Sequence, residues 1–406
     1  MVAGPKVAPD QDGIPAVDEL LALGRAAGLA AVGVAPARIL QPARDVLHLR
    51  KRAGLAGDMQ FTYRNPDRST DPTGVLPAAR SLIAGAWSYR RWRAPEPPPG
   101  PARARVARYA WHDHYGDLEL ALEAMARPLR EAGHRAVVVA DSNGLVDRNV
   151  AWSAGLGWYG KSSNLLLPGA GSWFVLGAVV TDADLAPTGS PRPDGCGPCT
   201  RCLDDCPTGA IVAPGVVDAT RCLAWLVQAD GPIPRRWRVA LGDRIYGCDD
   251  CQEVCPPNRE ARPAEREAGD EPEPLADLDR VTVDLDWLLG ASDEQILDRH
   301  GRWYIARRDP DNIRRTALVV LGNVAEPGRP GVRELLERHL RHDSALLRAH
   351  AVWAARRLGL GELAATVADD PDPGVRAELA GEVPARFDAG DWAGAGPSGH
   401  REGAHA

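Results

Sequence analysis

The sequence has no long apolar run. None of its stretches approaches the roughly 20 consecutive apolar residues that a membrane-spanning helix needs. Its first twenty residues, MVAGPKVAPDQDGIPAVDEL, hold neither an apolar signal core nor a twin-arginine pair. We therefore expect a cytoplasmic protein with no membrane partner.

A positive overall charge is also missing. The 406 residues carry a formal net charge of −7, so no global field attracts nucleic acid, and such binding would need a local basic patch. Hydrophobic residues make up 44% of the chain, which is enough to bury a substantial core, and the length suggests two or three domains.

Cysteine is absent from all but one region. The eight cysteines lie between residues 196 and 255, which is too clustered for scattered core thiols. The first run, GCGPCTRCLDDCPTGAI, has the spacing C-x2-C-x2-C-x3-C-P. A lone cysteine follows, and the second run, YGCDDCQEVCPPN, has the spacing C-x2-C-x3-C. Because cytosolic proteins rarely keep disulfides, the cysteines indicate a metal site.

Structural zinc and iron–sulfur clusters are the two kinds of metal site that compete for this pattern. Zinc takes four ligands per tetrahedral site, typically as two C-x2-C pairs. Three cysteines at three-residue spacing, with a fourth before proline, are instead typical of bacterial 4Fe-4S ferredoxins, in which the fourth cysteine binds the other cluster. The pattern therefore predicts two 4Fe-4S clusters with crossed ligands: Cys196, Cys199, Cys202 and Cys255 for one, and Cys206, Cys222, Cys248 and Cys251 for the other.

The residues before the cysteines predict an α+β domain over 1–187. Periodicity indicates a strand at GLAAVGVAP between two helices, a buried strand within 75–90 and a helix over 117–132. A strand ending at Asp141, a helix over 145–153 and a strand SWFVLGAVVTD follow. The ferredoxin-type module at 188–260 would conduct single electrons, so the N-terminal domain must hold the site of the reaction.

The C-terminal part shows a weak helical repeat. Three segments, DPDNIRRTALVVLGN, DSALLRAHAVWAARRLG and DPDPGVRAELAGEV, each place an aspartate shortly before an arginine that opens an apolar helix. They predict HEAT-like helical repeats over 261–385, before a polar tail at 386–406 that we expect to be disordered. Between residues 302 and 357 twelve arginines oppose six acidic residues, which is either a solvated helix face or a basic surface for phosphates.

One glycine-rich stretch, AGLGWYGKSSNLLL, matches two phosphate-binding patterns at Gly155, Gly157, Gly160, Lys161 and Ser162. A P-loop follows a buried strand and opens a helix, because the helix N-terminus holds the phosphate. Here the preceding residues, LVDRNVAWSA, predict a helix and the following ones a strand, so Gly155 is expected to end a helix. We expect the glycines to let the backbone pass close to something large and flat.

The sequence resembles the epoxyqueuosine reductase family over about residues 15–360. The resemblance rests on the two cysteine runs and on the segments RSTDPTGVLPAARSLI, ARYAWHDHYGDLE, VADSNGLVDRNVAWSAGLGWYGKSSNLLLPGAGSWFVLGAVVTD, GDRIYGCDDCQEVCPPN and RRTALVVLGN. The ordered combination of these segments is highly specific. Ser162 stands where the family typically has asparagine, which makes the P-loop match accidental.

The resemblance implies an oxidoreductase that reduces epoxyqueuosine to queuosine at the wobble position of tRNA, the last step of queuosine biosynthesis. It implies cobalamin held by the N-terminal domain and two 4Fe-4S clusters that pass electrons from the outer to the inner cluster and on to cobalt. It also implies a HEAT-like domain that helps to bind the tRNA anticodon stem-loop. We expect a monomer and an electron donor that the sequence does not identify.

The resemblance also assigns roles to single residues. Asp141 matches the family's catalytic aspartate, and Asp147 stands at the second acidic position of the same stretch. A carboxylic acid of raised pKa beside an apolar corrin would donate the proton that epoxide opening needs. The family's cobalamin-lining positions correspond to Arg68, Ala107, Asp141, Leu165, Leu176 and Ala224.

Other interpretations of these residues stay open. Asp141 could cap a helix after a strand, and Arg68 could be an exposed loop arginine. His114 and Gly116 depart from the family phrase G-x-D-Y-H, and His112 with His114 offers too few ligands for a metal, so both histidines are expected in a loop. For the whole chain, the alternatives are a dehalogenase-like cobalamin reductase of a small molecule and a non-catalytic iron–sulfur electron carrier.

Overall fold

The computed structural model describes residues 14–90, 92–93, 102–260, 273–274 and 278–383. The chain divides into two compact units, each built from separate stretches of sequence. Unit one comprises Met1–Ala94, Arg108–Cys222 and Asp249–Ala276, and unit two comprises Pro95–Ala107, Leu223–Cys248 and Asp277–Ala406. The predicted domains, with boundaries after residues 187, 260 and 385, divide the chain differently and stay a prediction. The predicted tail lies outside the described residues.

The described helices, in chain order, are α1 Val17–Ala26, α2 Gln41–Arg52, α3 Pro66–Ser69, α4 His114–Glu131, α5 Asp147–Ser153, α6 Arg201–Asp204, α7 Leu223–Leu226, α8 Arg235–Leu241, α9 Asp250–Glu253, α10 Pro256–Glu260, α11 Leu278–Val281, α12 Leu285–Gly290, α13 Asp293–His300, α14 Asp311–Val324, α15 Val332–Leu340, α16 Ala345–Arg357, α17 Gly361–Ala365 and α18 Pro373–Ala380. The described strands are β1 Ala31–Pro36, β2 Ser81–Ser88, β3 Trp92–Arg93, β4 Arg103–Val106, β5 Ala136–Ala140, β6 Trp158–Tyr159, β7 Leu165–Leu166, β8 Phe174–Thr181, β9 Ile211–Ala213, β10 Val216–Val217, β11 Arg244–Tyr246, β12 Glu273–Pro274 and β13 Thr282–Asp284.

Unit one is built on a four-stranded antiparallel sheet of order β1-β2-β8-β5. Side chains alternate between its two faces, as the period of two in a strand requires. Val175 and Val179 of β8 pack with α1 and α4 on one face, whereas Leu176, Ala178 and Val180 pack with α5 on the other. The expected mixed α/β architecture is therefore present, with helices covering both faces of the sheet.

The secondary structure predicted for unit one is confirmed. The strand at GLAAVGVAP is β1 between α1 and α2, and the predicted buried strand within 75–90 is β2. The helices expected over 117–132 and 145–153 are α4 and α5. No helix among the described residues is long and apolar enough to cross a membrane.

Unit two is mainly helical. Its longest described helix, α14, is buried over most of its length and packs against α16, which in turn packs against α18. These three helices coincide with the three predicted repeat segments. The arginine of each segment binds acidic or carbonyl oxygens close to the start of its own helix: Arg314 binds Asp311, Arg348 binds the carbonyl oxygens of His342 and Asp343, and Arg376 binds those of Asp370 and Pro371.

Part of the arginine surplus between residues 302 and 357 is internal: three of the twelve arginines are buried, whereas six are exposed. Arg315 is 1% exposed and donates to the carbonyl oxygens of Leu226 and Ala229 at 3.1 and 2.5 Å. Arg314 and Arg357 are also buried. Neither a fully solvated helix face nor a continuous basic surface describes these side chains, because several of them are used to satisfy buried carbonyl groups.

Candidate iron–sulfur and acid sites

Four of the eight cysteines come together in unit one around the first cysteine run. Cys196 and Cys199 lie on the tight loop that leads into α6, where the backbone N–H of Cys199 donates to the carbonyl of Cys196 at 3.2 Å, and Cys202 lies in α6 itself. Cys255 follows α9, 53 residues after Cys202 along the chain. The pKa of the Cys255 thiol is raised to about 11, mainly by burial and in part by the charges of Cys196 and Cys202, as expected for neighbouring sulfurs.

A second group of thiols forms around Cys206, Cys222 and Cys251, also in unit one. Burial raises the pKa of Cys251 well above its usual value, and the charges of Cys222, Asp249 and Cys206 add to this effect. The backbone N–H of Ala210 donates to the Cys206 sulfur at 3.2 Å. The fourth cysteine predicted for this group, Cys248, belongs to unit two.

The chemistry of both groups fits an iron–sulfur cluster. Burial and neighbouring thiols raise the pKa of each thiol, so the neutral form is favoured. The positive charge of bound iron would favour the thiolate form that binds a cluster. N–H donors at the sulfurs, such as the Asn164 side chain 3.9 Å from the Cys251 sulfur, are a known means of tuning cluster potentials. Among the described residues, no three His, Cys, Asp or Glu side chains converge on the position of one metal ion. A 4Fe-4S cluster does not require such convergence, because each thiolate binds a different iron atom of the cluster.

Asp141 ends the sheet strand β5 in an unusual backbone conformation. Its φ is 42°, in the left-handed region that non-glycine residues rarely adopt. Solvent reaches the residue, but the surrounding protein raises the pKa of its carboxyl above the ordinary value. The helix-cap interpretation of Asp141 is wrong, because the residue before α5 is Val146 and no side chain caps that helix.

Asp147 provides a second carboxyl beside Asp141. Its pKa lies well above the usual range, because the group is buried and because the charge of Asp141 is near. Its Oδ1 atom is buried without a hydrogen-bond partner, as is the Oδ1 atom of Asn149 on the same helix. Buried oxygens of this kind normally have a donor, so a bound group with N–H or O–H donors would suit these two atoms.

The other residues expected to line a cofactor are divided between the two units. In unit one, Leu165 and Leu176 are buried in the same hydrophobic cluster as Val139 of β5. Arg68 is exposed on α3, and its neighbour Ser69 donates to the carbonyl of Asn143 in the loop that follows Asp141. Ala107 and Ala224 lie in unit two.

The glycine-rich stretch is not a P-loop. Gly155 ends α5 with a φ of 77°, as predicted, and a strand rather than a helix follows. The reason expected for the glycines is wrong, because they approach the protein's own chain. A Cβ at Gly155 would lie 2.8 Å from the carbonyl oxygen of Ser190, and one at Gly157 would overlap the carbonyl of Leu166.

Sequence reasoning missed that this stretch supports the cysteine module. The Lys161 ammonium donates to the carbonyl of Gly197 at 2.7 Å, next to Cys196. The hydroxyl of Ser163 donates to the carbonyl of Gly215 at 2.7 Å, and the N–H of Gly215 returns a bond to the Lys161 carbonyl. The lysine of the apparent phosphate motif and the serine that follows the motif, Ser163, therefore position backbone of the module, and only the predicted strand after them could have signalled this role.

The histidines of the HDHYG phrase are not both loop residues. Asp113 caps α4 by accepting from the N–H of Gly116 at 3.2 Å. His114 is consequently the first residue of that helix and is 1% exposed, while His112 lies 3.3 Å from Asp117. A Cβ at residue 116 would lie 2.8 Å from Asp113 Oδ2, so glycine at this position suits the cap.

Two groups of cysteines at ferredoxin spacing, carried by an α/β unit that also holds a pair of acids with raised pKa values, define a two-cluster iron–sulfur oxidoreductase. A family model described as a 4Fe-4S double cluster binding domain matches residues 195–258. The chain is 35% identical to the epoxyqueuosine reductase of Xanthomonas campestris, over 86% of this chain and 98% of that one. It is 35% identical to that of Vibrio cholerae, over 74% and 81%. The chain belongs to the epoxyqueuosine reductase family.

Solved structures of this family have the same fold. A crystal structure of epoxyqueuosine reductase with an epoxyqueuosine-modified tRNA-Tyr stem loop matches with a TM-score of 0.79 at 28% identity, over 89% of this chain and 96% of that one. The enzyme from Bacillus subtilis, whose catalytic loop is swung out of the active site in that structure, matches with a TM-score of 0.77 over the same shares.

Proposed function

We propose that this protein reduces epoxyqueuosine to queuosine at the wobble position of tRNA, the last step of queuosine biosynthesis. Its membership of the family supports this assignment. The observation that carries the proposal is the acid pair Asp141 and Asp147, whose pKa values are both raised, in the same unit as seven of the eight cysteines.

The acid pair suits the chemistry of the reaction. Removing the epoxide oxygen breaks two C–O bonds, forms a C=C bond and releases water, so each turnover consumes two electrons and two protons. A carboxylic acid of ordinary pKa is almost fully ionised at neutral pH and donates poorly. A raised pKa keeps a larger fraction of Asp141 protonated, and we assign Asp141 as the donor of the proton to the leaving oxygen.

Cobalamin is the second cofactor that we propose. When bound, it supplies low-potential cobalt chemistry that the side chains lack. The unsatisfied Oδ1 of Asp147 suits the amide N–H groups at the rim of a corrin, and the apolar side chains of Leu165 and Leu176 suit its flat face. The residues assigned to hold it are Arg68, Ala107, Asp141, Leu165, Leu176 and Ala224.

The cluster ligands are proposed as two crossed sets. The mutual pKa effects among Cys196, Cys199, Cys202 and Cys255 support the inner set. Those among Cys206, Cys222 and Cys251 support the outer set, which Cys248 completes by the spacing of the second run.

The tRNA anticodon stem-loop is the proposed substrate carrier, bound by a monomer. A related enzyme has been crystallised with such a stem loop. We assign α14, α16 and α18 to a HEAT-like domain that helps to bind it, supported by the repeated arrangement in which an arginine binds oxygens at the start of its own helix. An arginine that stays exposed in this part of the chain, such as Arg341, suits contact with phosphates.

The test is turnover by anaerobically reconstituted protein. Epoxyqueuosine-containing tRNA is incubated with the protein, cobalamin and reduced methyl viologen, and the digested nucleosides are quantified by mass spectrometry. We expect queuosine to appear, and at least about 100-fold less of it with Asp141→Asn, because general acid catalysis typically contributes that much. Asp58→Asn, an exposed carboxylate in the same unit, is the matched control.

Two results would overturn these assignments. Absence of queuosine with fully loaded wild-type protein would refute the proposed function. Equal turnover by Asp141→Asn and wild type, with iron and cobalamin contents unchanged, would remove Asp141 as the proton donor while leaving the function in place.

A further inference from the structure

A basic segment of unit one, residues 49–64, contacts the backbone that leads to the outer cysteine group. The N–H of Ala219 donates to the carbonyl of Leu55 at 2.8 Å, and Arg50 donates to the carbonyl of Gly215. Three residues after Ala219 comes Cys222, whose own N–H donates to the Ala219 carbonyl at 3.2 Å. The segment therefore hydrogen-bonds directly to the backbone three residues before Cys222, a predicted cluster ligand.

This segment is positively charged and partly apolar on its surface. It has four basic residues and one acidic residue, although the whole chain has a net charge of −7. Lys51, Arg52 and Arg64 are exposed, and Lys51 reaches the Arg64 carbonyl at 3.4 Å, which joins the end of α2 to the loop after it. Leu49 and Phe61 are 59% and 43% exposed.

Exposed apolar side chains ringed by charges of one sign are a usual feature of transient protein interfaces. A local basic surface of this kind attracts an acidic partner although the chain as a whole carries a net charge of −7. The exposed carboxylates of Asp204 and Asp205 would repel it from the segment that precedes Cys206. Charge complementarity therefore directs an acidic partner to residues 49–64.

We propose that residues 49–64 form the docking surface of the electron donor, a small acidic protein that carries one electron at a time, and that Lys51 and Arg52 steer it to the outer cysteine group. The proposal rests on the proposed function, which consumes two electrons per epoxide and so needs two such deliveries. Each delivery oxidises the donor by one electron and reduces the cluster by one, with no bond made or broken.

The experiment uses the reconstituted full-length protein and a plant-type [2Fe-2S] ferredoxin as the acidic one-electron probe. Ferredoxin binding is measured by isothermal titration calorimetry at low salt. The rate at which reduced ferredoxin bleaches the cluster absorbance is followed by stopped-flow. The variant is Lys51→Glu with Arg52→Glu, and the matched control is Arg127→Glu, an exposed arginine on α4 that changes net charge without touching the surface.

We expect the double variant to weaken ferredoxin binding, and to slow cluster reduction by ferredoxin, at least about tenfold, and the difference to shrink as salt screens the charges. The single control substitution should change neither. Reduced methyl viologen, a small cation, should reduce the clusters of all three proteins at equal rates, which shows that the clusters are intact.

Unchanged ferredoxin binding in the double variant would overturn the proposal, as would an equal loss in the control. A loss of affinity for the tRNA stem-loop, measured by fluorescence anisotropy, with ferredoxin binding unchanged, would identify the segment as an RNA surface and refute donor docking. Failure of wild-type protein to reduce epoxyqueuosine with methyl viologen would refute the proposed function alone, because the binding and bleaching measurements do not involve tRNA.

Discussion

The carboxyl of Asp147 lies within electrostatic reach of the carboxyl of Asp141, and each has a pKa above the ordinary value. Burial is the main cause at both positions, and the charge of Asp141 is the second cause at Asp147. Asp141 stands at the end of a sheet strand with positive φ, and Asp147 begins the next helix. The turn between them therefore places two acids that resist ionisation at one end of the sheet.

Replacing Asp147 with asparagine should stabilise the free protein above mildly acidic pH. A carboxyl whose pKa is raised by folding contributes stability that is fully present below its unfolded pKa and is lost as the pH rises through its folded pKa. Asparagine cannot ionise, so Asp147→Asn should be more stable than wild type near neutral pH, because it avoids the cost of ionising a buried carboxyl. The melting temperature of both proteins between pH 4.5 and 8 is the measurement. A difference in melting temperature that does not grow with pH would contradict the raised pKa of Asp147.

Single cysteine substitutions should remove one cluster each, in crossed pairs. Cys202→Ser and Cys255→Ser should lose the same cluster, although these residues belong to different runs, and Cys206→Ser and Cys251→Ser should lose the other. Iron should fall from about eight to about four per chain in each case, because a cubane holds four irons. Iron analysis measures how much iron each variant keeps, and EPR of the reduced proteins shows which of the two clusters remains. If Cys251→Ser and Cys255→Ser left the same signal, the ligand sets would not be crossed.

Lys161 should affect the inner cluster and not nucleotide binding. Its ammonium binds the carbonyl of Gly197, beside Cys196, so Lys161→Met removes a positive charge near the cluster and should make its midpoint potential more negative. Lys161→Arg keeps the charge and should keep the potential. Potentiometric EPR titration gives both values, and equilibrium dialysis should find no MgATP bound to the wild type. Binding of MgATP that Lys161→Met abolishes would restore the P-loop interpretation.

The ion pair of Arg238 and Glu378 should be the most sensitive charged contact of unit two. Arg238 is 1% exposed and donates to both carboxylate oxygens of Glu378, at 3.1 and 2.8 Å. Glu378→Ala would leave a buried, uncompensated guanidinium and should cost about 3–5 kcal/mol of unfolding free energy. Urea unfolding checks this against Glu334→Ala, an exposed residue on α15. Equal unfolding midpoints for the two variants would show that the pair contributes little.

Sequence patterns predicted most of the features that depend on residues close together along the chain. Continuous apolar runs located β2 and β8, which are buried over most of their length, and the glycine after a predicted helix located the end of α5 at Gly155. The cysteine spacing predicted 4Fe-4S clusters, and a model of a 4Fe-4S double cluster binding domain matches residues 195–258. These features depend on residues that are close together along the chain.

The features that escaped prediction depend on residues far apart along the chain. Nothing near Arg315 indicates that its guanidinium satisfies carbonyls more than 80 residues earlier, so its charge was counted as surface. Gly157 makes room for the backbone of Leu166, which a motif comparison mistakes for room for a ligand. The positive φ of Asp141 is imposed by the fold around β5, since aspartate itself does not require it.

The hydrogen bonds of Ser172 have a consequence for the order of synthesis. Its N–H and hydroxyl bond to the side chains of Asn258 and Gln252, residues that leave the ribosome 80 or more positions later. The loop that enters the central strand β8 therefore obtains these side-chain partners only after the last cysteine has been translated.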